Sequence, residues 1–127
     1  MQNEDDRLRP TPAERFEGTE HVYDLAGAIE QLRREPRTAH GGHRQVTLFK
    51  HATSTLSVFY FDPAGGLPEH KANGFVTIHV LSGRMSVKTP EHDHDLTAGK
   101  LVVLAPNVRH SLSAVEACEM LLIVTRA

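Results

Sequence analysis

At 127 residues the chain is long enough to bury one hydrophobic core and short for two, so a single domain is expected. A formal net charge of -2 leaves no cationic footprint for nucleic acid, and no apolar run reaches the length of a bilayer span. Cys118 is the single cysteine, which excludes intrachain disulfides and a thiolate cluster for zinc.

Residues 1–18 are polar, acidic and proline-containing, with no apolar core of a signal peptide. They are expected to form a loose arm, and a cytoplasmic location is the default expectation. Residues 19–43 follow as a helix and a lead-in segment to the strands. Within them, Val22, Leu25, Ala26, Ile29 and Leu32 recur at helical spacing between Val22 and Glu35, and Pro36 stops the pattern. The helix is expected to cover one face of a sheet.

From Val46 onward the pattern becomes short β segments punctuated by turn residues. Strands are expected over 46–51, 55–61, 74–81, 84–89, 95–97, 100–104, 110–115 and 119–125. This spacing predicts an all-β sandwich or barrel over residues 44–127. In 74–81, Val76, Ile78 and Val80 share one face, and Thr77, His79 and Leu81 share the other. The all-apolar row is expected inside, with His79 pointing out. The last strand is apolar on both faces and needs cover on each side, from the helix, the other sheet or a second subunit.

Nine histidines are the compositional signal, because imidazole is both a common metal ligand and a proton carrier near neutral pH. His70 follows a Gly-Gly turn, and His110 follows Gly99, a short strand and Pro106. Two strand ends can therefore bring two histidines to one mouth of a barrel. His92 and His94 fall in an acidic segment read as a surface turn, and His21 reads as a boundary residue. Arg109 reads as a surface charge, and Cys118 as a small buried hydrophobe. Nucleophile-elbow and phosphate-loop patterns are absent.

These segments resemble the two motifs of the cupin superfamily, in particular small cupin-2-like barrels with a degenerate first motif. His70 stands at the first histidine of motif one, and Gly83 closes it at the family's distance. Ala72 stands where the second histidine belongs, and Val76 where the glutamate belongs. Motif two is matched by Gly99, Pro106 and His110, with one residue fewer between proline and histidine than in its longest form. The resemblance implies a jelly-roll barrel of antiparallel strands and a homodimer. It also implies a pocket lined by His70, Ala72, Val76, Ile78, Val80 and His110.

Full cupin sites hold iron, manganese, nickel, copper or zinc with three histidines and a carboxylate. Two of those four ligands remain, and protein metal sites normally use three or more. The expected function is therefore binding of a small molecule in the barrel, with no tightly held metal. The alternative is a metal-dependent dioxygenase, isomerase or decarboxylase. It would use His70, His110 and a ligand from outside the motifs, such as His43 or His51, with His40 and Glu69 also nearby in sequence. Metal-free acid–base catalysis by a histidine, as in some sugar-nucleotide epimerases of the superfamily, lacks an orienting carboxylate and ranks last.

Overall fold

The computed structural model describes residue 16, residues 18–36 and residues 41–126. Apart from Phe16 and Gly18, the N-terminal arm lies outside the described residues, as does His40. The single described helix, α1 (Leu25–Arg33), begins three residues later than the periodicity predicts. The cause is a cap: the Asp24 carboxylate accepts the Gly27 N–H at 3.0 Å. Val22, assigned to the apolar stripe, is fully exposed ahead of that cap.

Nine strands follow among the described residues: β1 (His43–His51), β2 (Ser54–Phe61), β3 (Gly66–His70), β4 (Gly74–Ser82), β5 (Arg84–Lys88), β6 (Asp93–Thr97), β7 (Leu101–Leu104), β8 (His110–Ala114) and β9 (Cys118–Arg126). They form one sheet in the order β1-β2-β9-β4-β7 and another in the order β3-β8-β5-β6. All pairings are antiparallel, and the two sheets close over one core. Three boundaries differ from the sequence reading. β1 starts at His43, which the sequence reading placed in a lead-in segment. β3 was not recognised as a strand, because Pro68 sits in it; β3 is an edge strand, where a missing N–H is tolerated. His94 lies in β6 opposite Val87, whereas His92 stays in the turn with its N–H on Thr89 Oγ1 at 3.1 Å.

The predicted alternation in β4 is observed. Val76, Ile78 and Val80 are buried inside with Phe59, Phe61, Met85 and Met120, and His79 lies on the outer row opposite Leu101 and Leu121. Helix α1 packs on β2 and β1 and covers the outer face of β9 at its Glu119–Leu121 end. Ile29 and Leu32 pack on Val58, and Val46, Leu48, Tyr60 and Leu121 complete this second core. Arg33 reinforces the contact by pairing with Glu119 and lying 5.3 Å over the Tyr60 ring. At the β4–β5 turn Gly83 has φ +82°, and a side chain there would run into the Ala117 carbonyl. Among the described residues no helix is long and apolar enough to cross a membrane.

Three places break the strict two-residue period. An extra residue enters β1 between Thr47 and Phe49, β3 between Leu67 and His70, and β4 between Val80 and Ser82. Each bulge exchanges the inner and outer rows beyond it.

Cys118 sits inside with none of its surface exposed. Burial, followed by the Glu119 and Glu116 carboxylates, pushes its thiol up to about 12. Because the thiolate is the reactive species, a disulfide reagent such as DTNB at pH 8 should leave the native protein unmodified and titrate one thiol only after denaturation. Rapid reaction of the folded protein would contradict this placement.

Candidate functional site

The site lies at the barrel end where β3 finishes and β8 begins. His70 and His110 are direct partners across these strands, with ring centroids 4.3 Å apart. A second link holds the two segments in place: the Asn107 N–H donates to the Ala72 carbonyl at 2.8 Å. Asn107 takes a left-handed φ of 68°, which asparagine tolerates better than most residues, and so turns the chain into β8.

The β3 bulge decides which side chain points inward. Leu67 faces Leu112 inside the barrel, so an unbroken period would turn Glu69 in and His70 out. The extra residue reverses this. His70 enters the cavity, and Glu69 is left outside within 3.8 Å of Arg109 Nη1. Arg109 is exposed, as its reading as a surface charge requires.

Both imidazoles are held in the same way. His70 Nδ1 lies 2.8 Å from the Pro68 carbonyl, and His110 Nδ1 lies 2.9 Å from the Val108 carbonyl. A carbonyl oxygen can only accept, so each Nδ1 carries the hydrogen and, in the neutral ring, each Nε2 carries the lone pair. Burial lowers the His70 pKa below the usual 6.5; the Pro68 carbonyl opposes this, and the adjacent His110 adds to it. His70 is thus a neutral acceptor at neutral pH.

The cavity beside the pair has a volume of about 210 Å³. Ala72, Val76 and Ile78 line it as the sequence reading expects, together with Phe59, Leu67 and Leu112. Val80 does not line it; it lies deeper along β4, fully buried opposite Met120. The sequence reading missed Gln45, Thr47 and Ser57, which form a polar strip on the wall, with Thr47 Oγ1 and Ser57 Oγ 3.1 Å apart. It also missed Lys50, Thr55 and Arg126. The signal for the strip was present in β1, where Gln45 and Thr47 alternate with Val46 and Leu48. Helix α1 covers the outer face, so the apolar row belongs there and the polar row faces in.

The donor set does not fit a protein-held metal of the kind found in full cupin sites. Two imidazoles converge, while Ala72 and Val76 contribute methyl groups where further ligands would stand. The outside ligands proposed from sequence are elsewhere. The His43 ring is buried against Phe61 and Phe59, 5.6 and 5.9 Å away, and His51 is exposed at the end of β1. Among the described residues, no group of three His, Cys, Asp or Glu side chains is placed to hold a metal ion.

No family model and no curated protein matches the chain. Solved structures do. A cupin superfamily protein from Desulfitobacterium hafniense superposes with a TM-score of 0.72 at 18% identity, covering 91% of this chain and 100% of that one. A cupin-2 domain protein from Shewanella frigidimarina superposes with a TM-score of 0.65 at 14% identity, covering 83% and 95%. A single-residue mutant of salicylate 1,2-dioxygenase from Pseudoaminobacter salicylatoxidans reaches 0.72 at 15% identity, covering 81% of this chain but 34% of that one. At these identities the likeness is one of fold, and it agrees with the two antiparallel sheets: the chain is a small cupin-fold domain.

Proposed function

We propose that the barrel cavity binds a small molecule, and that His70 and His110 orient it by accepting hydrogen bonds through Nε2. The carrying observation is the pair of rings on the cavity wall, each with Nδ1 already committed to a carbonyl of its own chain segment. Phe59, Val76, Ile78 and Leu112 give the wall an apolar side, so the body of the ligand is held there by burial and its polar donor by the histidines. A metal-dependent dioxygenase, isomerase or decarboxylase would need a third ligand that neither His43 nor His51 supplies, and binding is therefore the preferred reading.

The binding reading is tested with toluene and phenol, which share an apolar ring and differ in one donor. Both should shift cavity-lining resonances in a two-dimensional NMR titration, and phenol should bind more tightly. His70→Phe and His110→Phe should cut phenol affinity roughly 3- to 10-fold, the worth of one hydrogen bond, and spare toluene. Ala72→Leu, which fills the cavity, should abolish both. Saturable binding that survives Ala72→Leu unchanged would place the ligand elsewhere.

The lowered His70 pKa also has a stability consequence. A base whose pKa is lower in the folded state takes up its proton first in the unfolded chain. The contribution of neutral His70 is therefore complete above about pH 6.5 and is lost as pH falls from there towards the folded pKa. Urea unfolding across this range should show stability falling with acidification, the His70 part bounded by about 1.4 kcal/mol per pH unit for one proton. His70→Gln should flatten that part of the curve, and an identical curve in the variant would refute the assignment.

A further inference from the structure

Among the described residues, the charged side chains that line the cavity are cations. Lys50 and Arg126 both line it, and among the described residues its lining contains no aspartate or glutamate. Neither cation is there by default. Thr47 faces Ser57 in the interior, so an unbroken β1 would turn Phe49 inward and Lys50 outward. The bulge between Thr47 and Phe49 reverses the rows. Phe49 moves to the outer side, 5.3 Å from the Phe16 ring, and Lys50 takes the interior position opposite Thr55.

Arg126 reaches the same region from the other neighbour of β2. It ends the inward row of β9 that contains Met120, Leu122 and Val124. Its backbone N–H donates to the Thr53 carbonyl at 2.8 Å, and its Nη2 donates to Thr55 Oγ1 at 3.5 Å. Thr55 thus lies between the two cations, as the register partner of Lys50 and the acceptor from Arg126. Among the described residues Arg126 forms no ion pair, and four of its five N–H donors remain for a ligand.

We propose that the ligand of this cavity is a small organic acid whose carboxylate is received by Lys50 and Arg126, with its apolar body on the Val76–Ile78 wall and its donor at the histidine pair. This deepens the binding function proposed above and rests on it. The planar guanidinium matches a carboxylate through two parallel N–H bonds, and Lys50 adds a point charge. An anion is favoured here because the adjoining apolar wall limits the screening water that would otherwise weaken the attraction.

The test compares benzoate with benzamide, which have nearly the same shape and differ in charge, by titration calorimetry at pH 8. Benzoate should bind about tenfold more tightly than benzamide, as expected for a charge-assisted pair, and lose affinity as salt is raised. Lys50→Gln and Arg126→Gln should each remove most of that preference, lowering benzoate affinity far more than benzamide affinity. Lys50→Arg should keep it, which separates lost charge from disturbed folding, and thermal melts of all three variants check the fold directly. Equal binding of benzoate and benzamide, or a preference for benzoate that survives both glutamine variants, would overturn the acid subsite while leaving the cavity a binding site. Failure of benzoate, benzamide, phenol and toluene alike would overturn both.

Discussion

A β-barrel of this size turns every second side chain inward, and whatever stands on the inner row must either pack or serve the cavity. This alternation is the constraint on which the structure depends. It places Val76 and Ile78 on the cavity wall and sends His79 out. Left unbroken, it would also place Glu69 and Phe49 inside. Two extra residues, one in β3 and one in β1, replace them with His70 and Lys50. Two of the polar side chains of the site, His70 and Lys50, are thus turned inward by breaking the period near strand ends.

The chemistry of the site follows from the partial burial of its histidines and from their backbone partners. Burial disfavours the imidazolium of His70, and the carbonyls of Pro68 and Val108 select the tautomer in both rings. The result is two neighbouring lone pairs set in an apolar wall. An Nδ1–carbonyl bond of this kind is also what orients histidine ligands in metal proteins. Here the same bonds hold two rings beside Ala72 and Val76, which offer only methyl groups. The site suits a ligand that donates a hydrogen to the histidines, and the Lys50 and Arg126 cations lining the same cavity suit one that also carries negative charge.

The degree to which this was legible in the sequence differed by element. The helical stripe, the alternation of β4 and the two histidine segments were readable because each is a local periodic signal. The start of α1 was misplaced because Asp24, acting as a cap, outweighed Val22 in the apolar pattern. β1 was harder to read because α1 covers its outer face. Its apolar residues Val46 and Leu48 face the helix, and its polar residues Gln45 and Thr47 face the cavity, the reverse of a sheet with one solvated side. Lys50 and Arg126 were invisible as site residues. One is turned inward by a bulge with no sequence signature of its own, and the other ends an apolar strand like an ordinary surface cation.

The most direct test of this account is the protonation pattern of the two rings, read by long-range proton–nitrogen NMR correlation at pH 8 with and without 3-hydroxybenzoate. The account predicts that His70 and His110 both carry hydrogen on Nδ1, with bare Nε2 nitrogens whose resonances shift when the probe is added. Hydrogen on Nε2 in either ring, or Nε2 resonances indifferent to a probe that binds, would contradict the claim that these two atoms receive the ligand.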